Sequence, residues 1–88
     1  MVSREIVISS PEGLHLAQAE ALCNEADEYR SVISLQKDGR IFNAKSMIGV
    51  LGACIRHGDR ITVICEGADE KTALEGVLSR LEYVEEVC

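Results

Sequence analysis

The chain has 88 residues, nine Lys and Arg against fifteen Asp and Glu, and a formal net charge of −6. That length supports a single domain, 1–88, whose one modest core removes roughly 60–65% of the unfolded surface from water. The acidic balance argues against a nucleic-acid binder, which needs clustered cations, and against an anionic membrane surface.

The order of elements follows from periodicity and turn residues. "EIVIS" (Glu5 to Ser9) is short and β-branched and reads as a strand. Pro11 and Gly13 break it, and from Leu14 to Glu28 the residues are helix formers. Leu16, Ala19, Leu22, Cys23 and Ala26 fall on one face, with Glu20, Asn24, Asp27 and Glu28 opposite. "SVISLQ" and "IFNA" flank "KDGR", and Asp38-Gly39 is a strong hairpin signal because the turn requires φ > 0. Ser46 stands as an N-cap before the apolar "MIGVLGACI". Gly58-Asp59 turns the chain into "RITVICEG", with Ile61, Val63 and Cys65 on one face. Asp69 then starts "EKTALEGVLSRLE", where Ala73, Leu74, Val77, Leu78 and Leu81 form a helical stripe.

Strand, helix, strand, strand, short helix, strand, helix is the result, βαββαβα. Hairpins with two long one-sided helices imply an α+β open-faced sandwich: a four-stranded antiparallel sheet with three helices on one face. A ferredoxin-like βαββαβ module is the alternative. The longest apolar run, roughly Met47 to Ile55, is far below the ~20 residues of a membrane span. The start "MVSREIVI" lacks a signal-peptide hydrophobic region, so a cytoplasmic location is expected. Cys23, Cys54, Cys65 and Cys88 show no C-x-x-C or metal-ligand spacing. Reduced, packed thiols are expected, Cys88 being exposed as the last residue, and neither a metal nor a cofactor is implied.

His15 is the residue with chemical promise. It stands where a helix begins, and a helix start offers unpaired N–H groups and a positive dipole end to an anion. Ser46 stands at a second such start.

Gly13-Leu14-His15 after the first strand, "KDGR", "NAKSMIGV" from Asn43 to Val50 and the closing "EGADEKTALEGV" resemble the histidine-containing phosphocarrier protein family, HPr. The resemblance spans essentially the whole chain, and "NAKSMIGVL" is its most specific part. It implies a stoichiometric carrier in a phosphoenolpyruvate-dependent sugar phosphotransferase system, not an enzyme and expected as a monomer. Enzyme I-like and IIA-like proteins are the implied partners. His15 matches the phosphoryl acceptor. Ser46 matches a serine that a separate kinase phosphorylates for regulation. The expected partner-binding face takes in Leu16, Glu20, Met47, Ile48 and Leu51.

Two positions depart from the family pattern of Gly-Leu-His, a variable residue, then Arg-Pro. Ala17 stands where an arginine would meet the phosphoryl oxygens, removing a charge-assisted bond typically worth ~1.5–3 kcal/mol. Gln18 stands where a proline would help start the helix. Glu12, Glu20 and Asp27 make the surroundings acidic, which opposes an acidic partner. Arg56, at the turn after the apolar segment, is the candidate to supply the missing cation as a phosphate partner. Cys54, in that same segment, is expected to be packed. A second reading is a regulatory paralogue in which Ser46 and the apolar patch control binding to a transcription regulator or enzyme. A third is a structural or small-molecule-binding module that keeps only the fold.

Overall fold

Alternation of β-branched and polar residues builds one sheet, and two helical stripes cover one of its faces. The computed structural model describes residues 1–85. The elements are β1 (Val2–Ile8), α1 (Leu16–Ala26), β2 (Val32–Lys37), β3 (Arg40–Asn43), α2 (Met47–Gly52), β4 (Arg60–Glu66), α3 (Glu70–Leu78) and β5 (Tyr83–Glu85). The sheet runs β3-β2-β4-β1-β5, and every neighbouring pair is antiparallel. Its register aligns Ile6 with Ile61, Ile33 with Cys65 and Leu35 with Val63. Because side chains alternate along a strand, those residues and Ile8 share the covered face, and all are buried.

From α1 come Ala19, Leu22, Cys23 and Ala26, and from α3 Ala73, Leu74, Val77 and Leu78. Each large apolar side chain so buried contributes ~1.5–3 kcal/mol relative to exposure. The short α2 sends only Val50 into the core. Burial pushes the Cys23 and Cys65 thiols up from the usual range, keeping both protonated.

The β2–β3 hairpin turns on Asp38 and Gly39, both at positive φ (52° and 78°), the geometry that the Asp-Gly pair predicts. Elsewhere the sequence expectations need correction. The sheet has five strands, not four, and the order is βαββαβαβ. Helix α3 ends at Leu78 because Ser79 and Arg80 enter a turn that delivers Leu81 to the core. The chain then returns as β5 along Ile6–Ile8 of β1. Three residues show no alternation to read. Strand β1 also starts at Val2 rather than Glu5, since its pairing with β4 reaches Val2↔Cys65. Helix α1 begins at Leu16 rather than Leu14. Leu14 is buried ahead of the helix, while Leu16, assigned to the core stripe, is 64% exposed. Cys88, expected to be exposed, lies outside the described residues.

Asp69, the N-cap residue of α3, does not cap that helix with its side chain. Its carboxylate instead accepts from the N–H groups of Arg30 and Ser31 and from the buried Ser31 hydroxyl, at 2.9, 2.9 and 2.5 Å. These bonds, the Ser31 hydroxyl foremost, hold the Asp69 carboxyl below its usual range. Glu25 is lowered likewise, first by the Tyr29 hydroxyl and then by Arg80. A carboxyl depressed in the fold binds fewer protons than in the unfolded chain. Its stabilisation is therefore complete above the unfolded value of about 4 and is lost as pH falls through the folded value. Thermal midpoints measured across this acid range should fall as pH is lowered. Asp69→Asn should lower the midpoint at neutral pH and flatten the acid slope. An unchanged slope would contradict the role given to Asp69.

Candidate functional site

The segment between β1 and α1 is shaped by a close approach of two backbones. Gly13 has φ +68°, and a methyl group there would lie 2.4 Å from the Ile55 carbonyl oxygen and 2.7 Å from the Arg56 Cα. Its N–H donates to the Ser10 carbonyl at 3.0 Å, and the Leu14 N–H donates to the Ile55 carbonyl at 3.0 Å. Leu14 itself is buried. A positive φ, a contact that excludes a side chain and an anchoring leucine thus set the direction in which the chain enters α1.

His15 is the N-cap residue of α1, with extended backbone angles (φ −85°, ψ −170°). Its carbonyl accepts the Ala19 N–H at 2.7 Å, yet its ring makes no capping bond and is exposed. The amides of Leu16, Ala17 and Gln18 belong to the first turn and have no intrahelical acceptor. A histidine ring therefore stands free at the positive end of an eleven-residue helix. Glu12 is turned toward Gln18, whose side-chain amide donates to its carboxylate at 2.9 Å.

Leu14, His15, Leu51, Cys54, Ile55 and Arg56 line a depression of about 320 Å³. Leu51 of α2 and Arg56 of the loop that follows it thus line the same depression as His15. Among the described residues the Arg56 guanidinium makes no hydrogen bond or ion pair, and its charge acts on the Asp59 carboxylate only through space. Cys54 is exposed at φ +52°, which corrects the expectation that it is packed. The chain turns left-handed as it leaves α2, and that turn carries the thiol outward.

The remaining predicted residues fall into two groups. Leu16 and Ile48 (85% exposed) present apolar surface, with Leu51 at 39%, while Met47 is half-buried against the core. Glu20 does not line the His15 depression. It borders a separate hollow of about 360 Å³ with Ala17, Ala21, Asn24, Glu25, Glu28 and Arg80. Ser46 caps α2, its hydroxyl accepting from the Gly49 N–H at 3.0 Å, and is half-buried.

Lys37 and Asp59 escaped the sequence reading. The Lys37 ammonium donates to the carbonyls of Ala53 and Cys54 and lies 2.9 Å from Asp59 Oδ2, which also accepts the Arg56 N–H at 2.8 Å. These bonds, the Arg56 N–H first and then Lys37, hold the Asp59 carboxyl below its usual range and so ionised. A partner 22 positions away leaves no local signal, and both residues look like ordinary turn neighbours.

The family model described as the PTS HPr component phosphorylation site matches residues 2–82. The HPr-like protein Crh of Halalkalibacterium halodurans is 35% identical over 82 residues, covering 93% of this chain and 98% of that protein. Phosphocarrier protein HPr of Mycoplasma genitalium is 38% identical over 79 residues, covering 89% and 90%. The crystal structure of a phosphocarrier protein HPr from Bacillus anthracis superposes with a TM-score of 0.86 at 32% identity, covering 92% and 96%.

Two glycines at positive φ separate backbone preference from contact. Gly39→Ala meets nothing within 4 Å and should cost only the ~1–2 kcal/mol of a left-handed non-glycine residue. Gly13→Ala should cost clearly more and shift the amide resonances of Leu14, Ile55 and Arg56. Denaturant midpoints and ¹H–¹⁵N spectra check both. Equal costs with those resonances unmoved would contradict the close approach.

Proposed function

This chain belongs to the HPr family of phosphocarrier proteins, and from that premise we propose that His15 accepts a phosphoryl group and passes it to a partner protein. The observation that carries the reading is the free His15 ring at the start of α1, beside Arg56, in a chain the family model matches almost throughout. A neutral ring nitrogen attacks the phosphorus of an enzyme I-like donor. The N–P bond forms as the bond to the donor breaks, and a IIA-like acceptor later reverses the chemistry. The product carries ~1.5–2 negative charges. The first-turn amides of α1 and the α1 dipole are arranged to receive that charge. Arg56, reaching the site from the far side, supplies the cation that Ala17 lacks.

Docking uses the exposed apolar Leu16, Ile48 and Leu51, with the half-buried Met47 beside them. Glu20 on α1 and Glu28 just past its end make the neighbouring surface acidic, so the fitting partner offers cations there rather than carboxylates. Such a partner is the specific counterpart of this chain, which acts as one copy at a time.

A second reading has its own support: HPr-like proteins named Crh, at 34–35% identity, stand among the relatives beside the HPr proteins. In it the chain regulates by binding, and a kinase acts on Ser46. A phosphoryl group on that hydroxyl would add charge at the start of α2, next to Ile48, and change what docks there.

Incubation with phosphoenolpyruvate and the host's enzyme I, read by intact mass, tests the first reading. Wild type should gain one acid-labile phosphoryl group, and His15→Ala none. Arg56→Ala should charge at least about tenfold more slowly, as expected for losing a charge-assisted bond of ~1.5–3 kcal/mol. A folded wild type that gains nothing while a control carrier is charged would shift the assignment to the Ser46 reading.

A further inference from the structure

The loop from Cys54 to Asp59 presents Ile55 and Arg56 to His15, so whatever fixes this loop also fixes the site. A single side chain from β2 holds it. Lys37 is the last residue of β2, and its side chain is only 18% exposed. Its ammonium donates to the Ala53 carbonyl at 3.3 Å and the Cys54 carbonyl at 2.9 Å, and it contacts Asp59 Oδ2 at 2.9 Å. Three acceptors thus meet the three protons that a lysine carries. Ala53 is the C-cap of α2 and Cys54 follows it in the left-handed conformation, the point where a helix leaves its last carbonyls unpaired. A cation at that end also complements the helix dipole. At the other end of the loop, the same Asp59 oxygen accepts the Arg56 N–H at 2.8 Å, and the Arg56 carbonyl accepts the Asp59 N–H at 3.0 Å. One ammonium therefore joins the exit of α2 to the turn that precedes β4.

We infer that Lys37 is a positioning residue of the phosphoryl site, holding the Cys54–Asp59 loop so that Ile55 receives the Leu14 N–H and Arg56 stands beside His15. The inference rests on the phosphocarrier reading. Without the ammonium, two carbonyl oxygens and a carboxylate converge with no donor between them. They must separate or take in water, and the loop then moves away from Gly13. Lys37 lies outside the docking face and does not line the His15 depression. Its removal therefore acts on the charging step rather than on encounter with the partner.

The test measures kcat and KM for charging of the carrier by the host's enzyme I, in wild type, Lys37→Met, Lys37→Arg and Asp59→Asn. The Arg56 amide resonance is followed in the same proteins. Lys37→Met should lower kcat about tenfold or more, the scale of a small misplacement of a reacting group, and leave KM within about twofold. Its Arg56 amide proton should move upfield as the bond to Asp59 loosens. Lys37→Arg, which restores a cation, should recover most of both. Asp59→Asn, which keeps an acceptor for Arg56 but removes the charge, should show a smaller loss of the same kind and gives the answer if Lys37→Met does not fold. A Lys37→Met protein that charges at the wild-type rate overturns the role, as does a loss confined to KM. A wild type that never charges overturns the phosphocarrier reading and this role together.

Discussion

The Gly13 backbone rests against the carbonyl of Ile55 and the Cα of Arg56, too close for any side chain, and the Leu14 amide donates to that same carbonyl. Two segments 42 positions apart are joined there, one carrying His15 and the other Arg56. Because the contact is between main chains, it sets positions more firmly than a pair of flexible side chains would. The buried Leu14 then fixes the angle at which α1 starts, and His15 becomes its N-cap residue with the ring left outside. The histidine is not used as a cap, which is why its ring nitrogens remain available.

Around this contact the molecule separates tasks by face. The inner sheet face, α1 and α3 make the core, and Asp69 ties α3 to the entry of β2 through bonds to Arg30 and Ser31. The short α2 contributes little to burial, with only Val50 inside, and presents Ile48 and Leu51 to solvent beside the histidine. A helix of six residues is marginal by itself. It is held at its start by the Ser46 hydroxyl and at its exit by Lys37. The proposed roles of Ser46 and Lys37 would therefore both act through this one short helix rather than through the core. The acidic surface along α1 lines a hollow separate from the His15 depression, so under the proposed function partner selection and phosphoryl stabilisation would fall to different residues.

Much of this was legible in the sequence because it depends on local patterns. The Asp38-Gly39 turn, the inward residues of β4, the α3 stripe and the Ser46 cap all appear where periodicity and turn chemistry place them. Leu16 misled because a 3.6-residue period cannot tell where a helix starts: with Leu14 already anchored, Leu16 falls on the first turn and faces out. Strand β5 is three residues long and depends on pairing with β1, so it has no pattern of its own. At the site, Gly13-Leu14-His15 was readable as a unit, whereas the Lys37–Asp59 link was not. It depends on the fold bringing the end of β2 to the start of β4, and neither residue is distinctive locally.

The central claim is that Arg56, delivered by the loop that packs on Gly13, receives the charge that His15 acquires. The most direct measurement follows the Arg56 Nε–H resonance by ¹H–¹⁵N NMR while enzyme I and phosphoenolpyruvate charge the protein. The account predicts that this resonance moves in step with phosphohistidine formation, together with the amides of Leu16 and Ala17 at the start of α1. Phosphohistidine forming at His15 with the Arg56 side chain unmoved would contradict it.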